Sequence, residues 1–166
     1  MLHIALYQPE IPPNTGNIIR LCANTGTQLH LIYPLGFELQ DKALKRAGLD
    51  YHEWATLITY RSYAHFAEIH ADKRIFACST KAKTCYTDCH YQDNDLFLFG
   101  PETRGLPLEI LESFQGIRIP MMPQSRSLNL SNAAAVILYE AERQLGFPFK
   151  MEDSVPKHAI KPSKII

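Results

Sequence analysis

Apolar residues in this chain come in short bursts separated by longer segments of helical period, and that alternation limits the fold more than any other feature. Leu2–Tyr7, Gln28–Ile32, Arg74–Ser79, Asp95–Phe99 and Gly116–Ile119 each span four to six residues, the length of a buried strand. Between them, about Asn14–Asn24, Ser62–His70, Pro107–Phe114 and Leu128–Leu145 read as helices, with Gly26 as a C′ residue after the first and Pro107 opening the third. The last is the clearest, because Leu130, Ala133, Ala134, Ile137, Leu138, Ala141 and Leu145 share one face before Gly146 and Pro148 end it. A weaker strand at Trp54–Ile58 and a short basic helix at Asp41–Ala47 complete the pattern. Strands alternating with helices predict an α/β fold, a mainly parallel sheet flanked by helices.

The 166 residues suit one domain with a single core. We expect that domain to occupy residues 1–149 and residues 150–166, which hold two prolines and no periodicity, to form a flexible C-terminal tail. The longest apolar run, Ala133–Tyr139, is far below the roughly 20 residues of a membrane span, so no membrane partner is expected. The N-terminus has no basic region before an apolar one, and the four cysteines lack disulfide-framework spacing, so a cytoplasmic location is expected. Charge excludes a tail-type polycation: Lys+Arg and Asp+Glu are both 17. Any nucleic-acid binding therefore rests on local clusters.

Several chemistries are set aside by their missing residues. No G-x-G-x-x-G occurs, and Gly100 and Gly105 have P-loop spacing but Leu106 stands where that loop needs lysine. Cys85, Cys89 and His90 lack a second ligand pair and the seven histidines form no H-x-x-x-H, so no metal is expected.

What remains are three polar loops rich in glycine and proline, each following a strand. They are Pro12–Arg20 (PPNTGNIIR), Phe99–Pro107 (FGPETRGLP) and Ile119–Asn132 (IPMMPQSRSLNLSN). In open α/β sheets ligands bind beyond the carboxyl ends of strands, so three such loops are placed to meet in one crevice. Asn14 and Asn129 also fit plain helix N-caps.

These segments, in this order, resemble the three motifs of the SPOUT (α/β-knot) RNA methyltransferases, nearest the TrmL-like subfamily of tRNA (cytidine/uridine-34) 2′-O-methyltransferases. The similarity extends from about Met1 to Phe147 and takes in PEIPPNTGNIIRLCANTG and KRAGLDYHEW. It implies a C-terminal trefoil knot, S-adenosyl-L-methionine as methyl donor, no metal, a homodimer with its site at the interface, and tRNA as partner. By position it implies cofactor contacts at Cys78, Gly100, Gly105, Ile119, Met121, Ser127 and Leu128. It implies catalytic roles for Arg20, Asn14, Glu102, Ser127 and Asn129, with Glu102 holding the cofactor amine or a partner arginine. Arg20 either passes a proton to a substrate phosphate or stays cationic and steadies the developing alkoxide; a guanidinium pKa above 12 favours the second. Arg20, Lys42, Lys45, Arg46, Arg104 and Arg126 are the expected RNA contacts, with Tyr51, His52 and Trp54 as stacking candidates. The expected activity is methyl transfer to the ribose 2′-hydroxyl of the wobble nucleotide. Alternatives are a SPOUT enzyme for another tRNA or rRNA position, and a non-catalytic RNA-binding knot protein.

Overall fold

In Leu96–Phe99 every side chain is buried, and the two phenylalanines and two leucines point to opposite sides, because successive residues of a strand face opposite ways. Such a strand belongs in the middle of a sheet covered on both faces. The computed structural model describes residues 1–39 and 57–149 and places it there. Seven strands form one sheet: β1 (His3–Tyr7), β2 (Gln28–Ile32), β3 (Leu57–Tyr60), β4 (Ile75–Cys78), β5 (Thr84–Cys85), β6 (Leu96–Phe99) and β7 (Gln115–Arg118). Their order is β3-β2-β1-β6-β4-β7-β5, and every pair is parallel.

Helices α1 (Pro12–Thr25) and α4 (Leu130–Gln144) cover one face; α2 (Tyr63–Ile69) and α3 (Leu108–Glu112) cover the other. On the first face Ile18, Ile19 and Cys22 of α1 and Ala134, Ile137 and Leu138 of α4 pack on Leu6, Phe76, Phe97 and Phe99. On the second, Phe66 and Ile110 pack on Ala5, Ala77, Leu96 and Leu98. Pro12 occupies the first turn of α1, and Gly26, at φ +67°, ends it with its N–H donated to the Cys22 carbonyl.

The predicted strands and helices reappear with shifted ends. Pro107 is the N-cap of α3 in extended conformation, not its first helical residue. The last helix starts at Leu130 because Asn129 caps it. Of the strand expected at Trp54–Ile58, residues 54–56 lie outside the described residues; β3 continues past Ile58 to Tyr60, its parallel register against β2 pairing Leu29 with Leu57, and Tyr60 is seated in the core. β5 had no signal: two half-buried residues pair on one side with β7. The basic helix at 41–47, Trp54 and the tail at 150–166 lie outside the described residues.

The α2 face also carries a line of hydrogen bonds whose direction can be deduced. Lys73 Nζ, 3.1 Å from His3 Nε2, can only donate. Neutral His3 must then donate from Nδ1 to His30 Nε2 (3.0 Å), and His30 from Nδ1 to the Tyr60 oxygen (2.9 Å). Tyr60 in turn donates to His70 Nε2 (2.9 Å). Burial, with Lys73 nearby, pulls the His3 pKa down to about 4; burial, with His70 and His3 close by, pulls His30 to about 3. These folded-state values lie below the ordinary 6.5, so the unfolded chain takes up more protons and stability is lost as pH falls from about 6.5 through 4 toward 3. The thermal midpoint should therefore drop steeply over that window, and the drop should be smaller in His30→Gln. Nitrogen-15 NMR at neutral pH should find all three imidazoles protonated on Nδ1; an Nε2-H tautomer at His30 would break the deduced direction.

Candidate active site

The sheet order reverses between β1 and β6, where the chain, having built outward through β2 and β3, crosses to the other side. Loops leaving neighbouring strands there diverge and open a crevice. A cavity of about 510 Å³ lies beyond the carboxyl ends of β4, β6 and β7, a size suited to a small-molecule ligand.

Each wall has a local cause. After β6 the chain folds sharply back: a Cβ on Gly100 would lie 2.3 Å from the Leu106 nitrogen, and Gly105, at φ +69°, makes the return. Only glycine permits both. After β4, the Ser79 N–H donates to the Ile117 carbonyl (3.0 Å), carrying β4 pairing one residue past the strand. After β7, Ile119, Met121 and Leu128 add apolar wall before α4 begins.

The loops after β6 and β7 are tied by polar side chains to the segment after β1 that opens α1. Glu102 Oε2 accepts from the Glu10 N–H (2.8 Å), and its Oε1 accepts from the Ile11 N–H (3.2 Å) and from Asn14 Nδ2 (3.1 Å). Asn14 Oδ1 accepts from Asn129 Nδ2 (2.9 Å). Asn129 Oδ1 caps α4, accepting from the Ser131 N–H (2.9 Å) and hydroxyl (2.7 Å). Asn14 is buried within the first turn of α1, and the N-cap position there belongs to Ile11. Asn129 is an N-cap and something more.

All seven expected cofactor contacts (Cys78, Gly100, Gly105, Ile119, Met121, Ser127 and Leu128) line this cavity. Asn14, Glu102, Asn129, Arg104 and Arg126 line it too. Arg20 does not: it stands exposed on α1, six residues beyond Asn14, or about 9 Å along the axis. Glu102, expected to meet a cofactor amine or a partner arginine, accepts within this chain from the Glu10 and Ile11 N–H groups and from Asn14. Arg104 reaches Gln8 Oε1 at 2.7 Å and sits 3.6 Å from Glu10. Burial pushes the Cys78 thiol well up, so it behaves as an apolar wall. Lys42, Lys45, Arg46, Tyr51 and His52 lie outside the described residues. Among the described residues, no group of three or more His, Cys, Asp and Glu is arranged to hold a metal. The sequence reading missed Ser79, Thr80, Lys81 and Arg118, which also line the cavity. Applying the carboxyl-end rule to β4 and β7, instead of to glycine-rich loops alone, finds them.

The family model described as "SpoU rRNA Methylase family" matches residues 1–139. A tRNA (cytidine(34)-2′-O)-methyltransferase from Aeromonas hydrophila is 58% identical over 156 residues, covering 92% of this chain and all of the relative. A solved structure described as "Structural insights into the 2-OH methylation of C/U34 on tRNA" superposes with TM-score 0.84 at 48% identity, covering 88% of this chain and 97% of that one. The SpoU methyltransferase AviRb from Streptomyces viridochromogenes, in complex with AdoMet, superposes with TM-score 0.75 at 25% identity, covering 87% and 58% of the two chains.

Removing the Glu102 carboxylate leaves two backbone donors and the Asn14 amide without their acceptor. Glu102→Ala should cost about 2 kcal/mol in urea denaturation and speed amide exchange at Glu10 and Ile11. Unchanged exchange there would show that the loops hold without it. Asn129→Asp keeps the helix cap but loses the donor to Asn14, so it should loosen the same amides at little cost to α4.

Proposed function

The chain belongs to the SpoU methylase family, and on that premise we propose that it transfers a methyl group from S-adenosyl-L-methionine to the ribose 2′-hydroxyl of tRNA wobble nucleotide 34. The observation that carries this is the coincidence of three sequence-separated loops in one cavity, with all seven expected donor contacts on its wall. The target position rests on the relatives, which cover nearly the full chain and carry that activity in their names.

The cavity fits the donor chemically. Backbone N–H and C=O groups around Gly100 and Ile119 suit an adenine edge and ribose, and Ile119, Met121, Leu106 and Leu128 supply apolar surface for the ring. Bound S-adenosylmethionine supplies an electrophilic sulfonium methyl. Ser127 and Asn129 offer a hydroxyl and an amide beside the reacting ribose without adding charge. The Asn14–Glu102 pair fixes the loops that hold those groups in line. Arg20 stays protonated, grips the phosphate beside the target ribose and steadies the negative charge that grows on the 2′-oxygen as its proton passes to solvent water, the thioether S-adenosylhomocysteine being the leaving group.

A homodimer belongs to this reading. Arg20 lies on an exposed stripe of α1 with Pro13, Asn17 and Asn24, and α4 presents Val136 and Tyr139. A second copy against these helices gives Arg20 a route to a cavity that its own chain leaves it outside. The family's trefoil knot is part of the same proposal, supported by the tight closure of Gly100 on Leu106 and by the return of α4 against α1. A cytoplasmic location accords with the unpaired thiols of Cys22, Cys78, Cys85 and Cys89.

Arg20→Ala should abolish methylation of tRNA while calorimetry finds donor affinity within a few-fold of wild type. Proportionate loss of both would remove Arg20 from the chemistry. Sedimentation should find a dimer at working concentration; an active monomer would defeat the interface assignment.

A further inference from the structure

The cavity rim is more cationic than the proposed donor explains. Four basic residues line it (Lys81, Arg104, Arg118 and Arg126) in a chain whose formal charges cancel. Glu102, its acidic residue, is consumed by three donors, and Arg104 is engaged by Gln8 and Glu10. Lys81, Arg118 and Arg126 are exposed, and no hydrogen bond or ion pair holds their side chains among the described residues. S-adenosylmethionine carries a sulfonium and an ammonium against one carboxylate, so it is itself a net cation. One carboxylate does not account for three basic groups. The anion they face must come from the other substrate, and in RNA that anion is the phosphodiester.

The backbone that carries two of these cations is fixed by the sheet and its turn. Lys81 sits in the turn that follows β4, where its N–H donates to Ser79 Oγ (3.2 Å) and the Ala82 N–H closes on the Ser79 carbonyl (3.1 Å). That turn packs on β7: a Cβ at Gly116 would lie 3.0 Å from the Ala82 Cβ, so the glycine sets the close approach. Arg118 ends β7, two residues on, paired in register with Cys85 of β5. Lys81, in a turn packed on β7, and Arg118, at the end of β7, thus both belong to the β7 side of the cavity, away from the β1 side where Arg104 is held.

We propose that Lys81 and Arg118, with Arg126 of the same cavity lining, form a phosphate-seating rim that positions the tRNA backbone at the mouth of the cavity. They are positioning residues, and they act on the nucleic acid, not on the methyl donor. This rests on the functional reading above.

The test uses the full chain and tRNA purified from cells that lack this protein, with Lys81→Ala, Arg118→Ala and the double variant. Each single change should lower the slope of log affinity against log salt by about one and raise the KM for tRNA more than it lowers kcat, and the double should weaken tRNA binding about tenfold. Affinity for S-adenosylmethionine should stay within twofold, and Lys81→Arg should restore the salt slope. Unchanged tRNA affinity and slope in the double variant, with wild type methylating normally, would overturn the rim alone. A parallel fall in donor affinity would reassign these cations to the donor's carboxylate and overturn it too. A wild-type chain that neither binds nor methylates tRNA would overturn the functional reading itself.

Discussion

Everything at the cavity depends on one carboxylate meeting two backbone amides some ninety residues away in sequence. Glu102 joins the loop after β6 to the loop after β1, and Asn14 passes that attachment on to Asn129 and the start of α4. The distances are those of ordinary hydrogen bonds, but each group has its partners fixed by valence. Asn14 must turn its NH₂ toward Glu102, which leaves only its oxygen for Asn129. Asn129 must then present its NH₂ there, which leaves only its oxygen to cap the helix. The amide orientations along the line are mutually determined, and three segments with no regular structure of their own are set with the accuracy of the sheet.

This arrangement gives the acidic and amide residues a structural task as well. As motif residues they look like groups aimed at substrate. In the folded chain they hold backbone, and the cavity they frame combines apolar wall at Ile119, Met121 and Leu128 with basic side chains at Lys81, Arg104, Arg118 and Arg126. Cys78, its thiol pushed well up by burial, is part of the apolar wall.

The central strands were legible because burial on both faces leaves no alternative to short apolar runs, as in Leu96–Phe99. That Gly100, Gly105 and Ser127 meet at one cavity was legible from resemblance more than from composition. Three things were hidden. β5 is two residues at a sheet edge and has no period to detect. The role of Glu102 depends on partners 88 to 92 positions distant. His3, His30 and His70 looked scattered because their spacing has meaning only once β1, β2 and the end of α2 lie side by side. Long-range pairing of polar groups leaves no local mark.

The histidine line has a property that none of its members has singly. Lysine at its head can act in one sense only, so every dipole behind it points the same way, and no single ring can turn over without stranding a neighbour. Those three imidazoles and the phenol are therefore one unit with a front and a back. A replacement that offers a donor and an acceptor at the right ends leaves the unit whole, whereas one that reverses them divides it in two, however well its volume matches.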